Sequence, residues 1–323
     1  MRVPVNLNLT IKHFYHSGFS VSFNDILLVF DYWRGEEGEL TEQIQLSEED
    51  IRSRRAVYVF ISHEHIDHMD PVVFTWKDWG NVSYIVSSDM PVGTRGRRMA
   101  PGDTITLEEG LTVSAFDSTD LGVSFLVDIS GFRVFHAGDL NFWHWREEST
   151  MKEIDEAEEE FRKAVSPLSA EKIDIAFFPV DPRQGNMYDA GANYFILSVK
   201  PRLMIPMHYF HRADTAIEYA RTASCRTTEV LAMPGYGDTI YVSVGSDDYI
   251  DISFSNTDEV PEPSANDPAA SSNSPVTGQA EGEPENSMPS FEDDPFSESD
   301  LPVSLPVDSD HEDTVPVSPD QKD

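Results

Sequence analysis

Short apolar runs rich in Val, Ile and Phe recur along the first part of the chain, at residues 19–23, 26–30, 57–62, 84–86, 111–116, 123–129 and 132–136. Others follow at 173–179, 203–207, 229–232 and 239–244. Each is too short and too β-branched for a helix, so the pattern predicts strands. Helical spacing is clearest over 147–165, where Met151, Ile154, Phe161 and Val165 share one face and glutamates the other, with Pro167 marking the end. Residues 190–199 and 213–223 also read as helices, each beside a strand. No repeat occurs at a solenoid period. Strands first, then strands among helices, predict sheets covered by helices in a layered α/β architecture.

The pattern fades at Phe254. From Ser255 onward there are 18 Asp plus Glu, one Lys (Lys322) and 11 of the 21 prolines. Such a segment cannot bury enough apolar surface to offset chain entropy. The expectation is one domain over 1–254 and a disordered acidic tail over 255–323. The net charge of -35 divides into -17 for the tail (1 minus 18) and -18 for the rest (22 minus 40). Both parts disfavour nucleic acid and anionic lipid as partners. Cys225 is the single cysteine, which excludes an internal disulfide and a cysteine-rich zinc site. The first residues lack a signal peptide's apolar core, and no stretch approaches the roughly 18 apolar residues of a membrane span. A soluble, cytoplasmic protein is therefore expected.

Chemistry concentrates where the run 57–62 ends, in Ser62-His63-Glu64-His65-Ile66-Asp67-His68. Three imidazoles and a carboxylate within six residues form a ligand set suited to zinc, iron or manganese. The plain alternative is a solvated polar loop. The run resembles the HxHxDH signature of the metallo-β-lactamase superfamily, and further segments in matching order extend that resemblance over residues 11–245. It implies a four-layer αββα sandwich and two divalent metal ions, zinc first, with manganese or iron as alternatives. His63 and His65 would serve one ion, Asp67 and His68 the other.

The segment from His16 through Phe23, followed by 27–31, is similar to the branch that includes ascorbate-6-phosphate lactonase. There Asp31 would orient a ligand histidine; read alone, it is equally a strand-end turn residue, and His16 carries the same ambiguity. Gly138-Asp139 resembles the segment whose Asp bridges both metals, Gly138 permitting close backbone approach. On its own such a pair is usually a turn. His136 is a competing ligand that the family pattern does not use. His208, ending the run 203–207, resembles the last histidine of the second site, with His211 as a weaker alternative. In one place the sequence departs from the family: no histidine lies between His68 and His136, where the first site's third histidine belongs. Asp120 is the replacement expected there, with Asp117 competing and a turn role open for both. A carboxylate at that position favours harder ions and argues against lactam chemistry.

The implied activity is hydrolysis of a small, anionic ester or lactone by hydroxide generated between metals about 3.5–4 Å apart, with Asp67 taking a direct catalytic part and His208 beside it. Arg183 is a candidate for holding an anionic substrate group; Arg95, Arg97 and Arg98 are also candidates, with solvated loop charge as the alternative. Trp33, Trp76, Trp79, Trp143 and Trp145 lie near strand-end loops, and the acidic helix over 147–165 is a candidate lid. The competing readings are a phosphodiesterase of the same fold, a nuclease, for which no basic insertion is visible, and a non-catalytic metal-binding scaffold. A small-molecule substrate is the expected partner, with neither nucleic acid nor membrane.

Overall fold

The computed structural model describes residues 7–36, 38–145, 148–245 and 249–254; the expected tail over 255–323 lies outside them. Strands buried along their whole length, Ile26–Phe30, Ala56–Ile61, Ile175–Pro179 and Leu203–Met207, are continuous apolar runs, as centres of sheets covered on both faces require. Leu7–His13 instead alternates, with Leu7, Leu9 and Ile11 turned inward.

Eight strands form one sheet in the order Ile250–Phe254, Thr239–Val244, Leu7–His13, Phe19–Phe23, Ile26–Phe30, Ala56–Ile61, Val82–Ser87, Arg97–Met99. Seven form the other, in the order Glu229–Val230, Leu203–Met207, Ile175–Pro179, Phe132–His136, Ser124–Ile129, Leu111–Phe116, Thr104–Glu108. Both share one plan. Pairing is antiparallel through Phe19–Phe23 and Ile26–Phe30, then parallel to the edge; likewise it is antiparallel up to Phe132–His136 and parallel beyond.

The sheets meet through aromatic rings. Phe19 stacks on Phe177 at 4.3 Å, and Phe60 meets Phe125 edge-on at 5.4 Å. The outer face of the first sheet packs under Phe14, Tyr32, Val73 and Trp76, with the short helix Glu48–Arg52 and the 3-10 segment Pro71–Asp78. The second sheet is covered by helices Met151–Val165, Ala190–Val199 and Ala213–Ala223, which bury Phe161, Phe195 and Tyr219. This is the expected four-layer αββα sandwich. Among the described residues no helix is long and apolar enough to cross a membrane.

Several expectations need correcting. The helix over 147–165 begins at Met151, because a reciprocal capping box between Thr150 and Glu153 fixes its first turn. Only Phe161, Ala164 and Val165 are buried, while Met151 is 70% exposed. This helix lies against the second sheet and is no lid. Strands Leu7–His13, Arg97–Met99, Thr104–Glu108 and Ile250–Phe254 escaped the sequence reading. Three of them are short or partly exposed, with weak apolar signals.

The topology places the chemistry. Asp31 follows Phe30, the His63–His68 run follows Ile61, Asp139 follows His136, Asp181 follows Pro179 and His208 follows Met207. All leave the carboxyl ends of strands that take part in parallel pairing, the usual place for a ligand crevice in such sheets.

Candidate metal centre

Three histidines share one arrangement in which Nδ1 is committed to a buried partner and Nε2 is turned inward. His68 Nδ1–H donates to Asp31 Oδ2 at 2.8 Å. His208 Nδ1–H donates to Asp181 Oδ2 at 3.0 Å. Ser62 Oγ donates to Asp31 Oδ2 at 2.6 Å, so at 2.9 Å it accepts from His63 Nδ1. With Nδ1 committed in this way, Nε2 is the nitrogen each ring can offer an ion, once deprotonated, as metal-ligating histidines require.

These nitrogens surround Asp139. Its Oδ1 lies 2.9 Å from His68 Nε2 and 3.1 Å from His208 Nε2, and its Oδ2 lies 3.4 Å from His63 Nε2. One carboxylate thus divides its oxygens between two donor groups. His65 Nδ1 stands 3.0 Å from His63 Nε2 and 3.8 Å from Asp120 Oδ2. The donors fall into three overlapping groups, His65 with Asp120 and Asp139, His63 with His68 and Asp139, and His16 with Asp67, His68 and His208. Divided about the two oxygens of Asp139, His63, His65 and Asp120 could hold one ion, and Asp67, His68 and His208 a second. Asp139 Oδ1 and the Nε2 atoms of His68 and His208 are buried without a hydrogen-bond partner among the described residues. Leaving them so is costly, and a divalent cation would satisfy them together, so the residues fit such an ion.

Charge in this cluster is strongly coupled. Burial opposes ionisation of Asp139, yet His68 and His208 beside it hold the carboxyl well below its usual range. Burial likewise opposes protonation of His208, but Asp139 and Asp181 outweigh it and push the imidazole up to about 9. His68 is raised in the same way by Asp139 and Asp31.

His16 is different. Its Nδ1 accepts from the Phe210 backbone N–H at 3.3 Å, which places the proton on Nε2, 3.3 Å from Asp67 Oδ2. Burial, reinforced by His208, lowers its pKa to about 3, so it stays neutral. His16 therefore turns an N–H toward Asp67 and offers no lone pair to an ion, although it stands within the same cluster. Burial works against the Asp67 charge, but His16 and His68 hold it well below the usual carboxylate range.

The backbone is bent to make this possible. His16, Asp31 and His208 have left-handed φ of 56°, 41° and 66°, uncommon for residues with a Cβ and concentrated at functional sites. Gly138 approaches so closely that a Cβ would lie 2.8 Å from Ser62 Cβ. At Gly122 a Cβ would lie 1.9 Å from the Ser62 carbonyl, which draws the loop carrying Asp120 onto the 63–68 run.

Of the competing positions, Asp117 is exposed and turned to the Ser118 backbone N–H, and His211 is exposed and outside the cluster. His136 stacks on Phe30 at 5.2 Å, its Nε2–H donating to the Ser17 carbonyl at 2.9 Å; it ties the sheets together. Arg98 is used by the carbonyls of Ser88, Met90 and Pro91, while Arg95 and Arg97 line a separate cavity beside Tyr58 and Tyr84. Trp33 and Trp76 are core residues, and Trp79 packs against that core. Trp143 and Trp145 do line the centre, in a cavity of about 310 Å³ with His65, Asp67, Asp120 and Arg183.

The sequence reading missed Asp181, Ser62 and the Trp143 indole N–H, which donates to the Asp139 carbonyl at 2.8 Å. Asp181 sits two residues beyond a strand before a proline, where an N-cap role is the ordinary reading, and it has that role as well.

Residues 29–209 match the β-lactamase superfamily domain. A metal-dependent hydrolase of Pyrobaculum neutrophilum is 21% identical over 217 residues, covering 62% of this chain and 84% of the relative. Another, of Natranaerobius thermophilus, is 29% identical over 168 residues, covering 47% and 64%. A metallo hydrolase of Ignicoccus hospitalis superimposes with a TM-score of 0.54 at 18% identity, over 72% of this chain and 98% of that one. With more than half of its length inside the matched domain, the chain belongs to the metallo-β-lactamase superfamily.

Proposed function

We propose that the protein hydrolyses a small, anionic ester or lactone at a centre of two divalent ions. The observation that carries this reading is the division of Asp139 between His63 on one oxygen and His68 with His208 on the other. Two ions so held would activate water near neutral pH and polarise the attacked carbonyl. His63, His65 and Asp120 would hold the ion nearer solvent, since the His65 and Asp120 side chains are 44% and 41% exposed. Asp67, His68 and His208 would hold the deeper one. Asp67 lines the cavity with His16 beside its Oδ2, and would serve as a ligand and as acceptor for the proton of the attacking water. Trp143 and Trp145 narrow the entrance and restrict bulk water.

The donor set of imidazoles and carboxylates suits zinc, with the Asp120 carboxylate favouring manganese or iron at the more open position. The test is turnover of chromogenic acetate, lactone and phosphodiester substrates by protein loaded in turn with zinc, manganese or iron. Cleavage of an ester or lactone that a chelator abolishes is the expected result. Cleavage of the phosphodiester alone would move the assignment to a phosphodiesterase, and metal binding without any turnover would make the protein a scaffold.

A further inference from the structure

Beyond the metal centre lies a second cavity of about 510 Å³, lined by Trp145, Glu148, Arg183, Gly185, Asn186 and Met187. It shares Trp145 and Arg183 with the cavity of the metal centre. The shared walls are held in place. Arg183 Nε donates to both oxygens of Asp181, at 3.0 and 2.9 Å, and Nη2 donates to Oδ2. Its guanidinium carbon lies 4.8 Å from the Phe210 ring and 5.8 Å from that of Trp145. Trp145 in turn stacks on Trp143 at 6.0 Å, with 12° between the planes.

Asp181 occupies one edge of the guanidinium. Nη1 has no hydrogen-bond partner among the described residues, and the side chain remains 50% exposed. The other ionisable groups lining the two cavities are the carboxylates Asp67, Asp120, Asp139 and Glu148 and the imidazoles His65 and His208, which stand at the metal centre. Arg183 is the only Lys or Arg among the described lining residues. An anion in either cavity therefore has one fixed, always-charged partner, whose free donors suit a carboxylate or phosphate.

We infer that the paired cavities accept a two-part substrate: the bond to be cleaved lies at the metal centre, and a second group, a carboxylate or phosphate oxyanion, lies in the outer cavity on Arg183. Arg183 is thus the specificity-determining residue. This rests on the hydrolase reading and adds to it where the anion is recognised. Because Asp181 anchors Arg183 and also orients His208, the anion subsite and the metal centre share one rigid support.

The test uses the metal-loaded full chain and two esters with one leaving group, 4-nitrophenyl acetate and 4-nitrophenyl hemisuccinate. The wild type is expected to favour the hemisuccinate by about tenfold in kcat/KM, chiefly through KM, the size of one hydrogen bond to a charged group. Arg183→Gln should erase that preference, and Arg183→Lys should recover part of it, since the charge remains while the fork is lost. A wild type indifferent to the carboxylate, or a glutamine variant that keeps the preference, overturns the inference. Metal content is measured in parallel; equal losses on both esters with a fall in metal would reduce Arg183 to a support for Asp181 and overturn it too. Glutarate, titrated against tryptophan fluorescence, separates this inference from the hydrolase reading. If neither ester is cleaved but glutarate binds the wild type about tenfold more tightly than Arg183→Gln, the subsite stands and the ester-hydrolase reading falls. If both esters are cleaved without preference, the reverse holds.

Discussion

The two donor groups on either side of Asp139 are built to different standards. On the deep side, His68 and His208 are buried, and each is locked by a buried carboxylate, Asp31 or Asp181. On the open side, His63 is supported by the Ser62 hydroxyl, while His65 and Asp120 are half-exposed, 3.8 Å apart. The deep group is preorganised: its Nδ1 partners and ring planes are set before any ion arrives. The open group has fewer constraints and can adjust to the ion and the substrate. Outer hydrogen bonds typically change metal affinity by about 10–100-fold, so the deep site should bind first and tightest, and the open site should be the exchangeable one.

Removing the shared carboxylate should have the largest effect. Asp139→Ala is expected to lose both ions with the fold retained, read by elemental analysis beside circular dichroism; retention of one full equivalent would show that the carboxylate does not bridge. His68→Ala should also remove the deep ion.

A smaller loss is expected from Asp181→Asn. The amide still meets Arg183 poorly and no longer presents a carboxylate to His208, so deep-site affinity should fall about 10–100-fold while the open site changes little. Competition with a chromogenic chelator measures both steps. Equal weakening of the two steps would erase the distinction between the groups.

The deep group should also show itself in pH dependence. In the metal-free protein the His208 pKa is raised from 6.5 to about 9, so its contribution to stability is complete below 6.5 and is lost as pH rises through about 9. An ion needs the same nitrogen deprotonated and so competes with that proton. The rise in Tm on adding metal should therefore grow between pH 6.5 and 9; a rise that shrinks over that window would contradict the assignment.

On the open side the expected change in metal content is confined to a single ion. Asp120→Ala should release the open ion and abolish turnover while leaving the deep ion, and Asp120→His should restore zinc there. Asp117→Ala should change neither, because its side chain serves its own turn. Metal stoichiometry across the three variants decides the matter, and a loss in Asp117→Ala equal to that in Asp120→Ala would refute the choice between them.

The same contrast governs what could be read from the sequence. Strands such as Phe132–His136 and Leu203–Met207 were legible because a buried strand is a local apolar run. The 63–68 ligands were legible because four donors crowd into one loop, and Asp139 and His208 followed from their order after strands. Asp181 was not legible: its partner His208 lies 27 residues away, and nothing near it in sequence marks the pairing. Sequence favoured Asp120 over Asp117 only by its place before a strand; what brings Asp120 beside His65 is Gly122 packing against Ser62. The role of His16 depended on which nitrogen the Phe210 backbone occupies, 194 residues along the chain. Sequence alone therefore determined the layers and the supply of donors, because both follow from local periodicity and local chemistry. Only the tertiary structure decided which nitrogen of each imidazole faces the centre and where the rim arginine is anchored, because those depend on hydrogen bonds between strand ends that meet only once the sheets have packed.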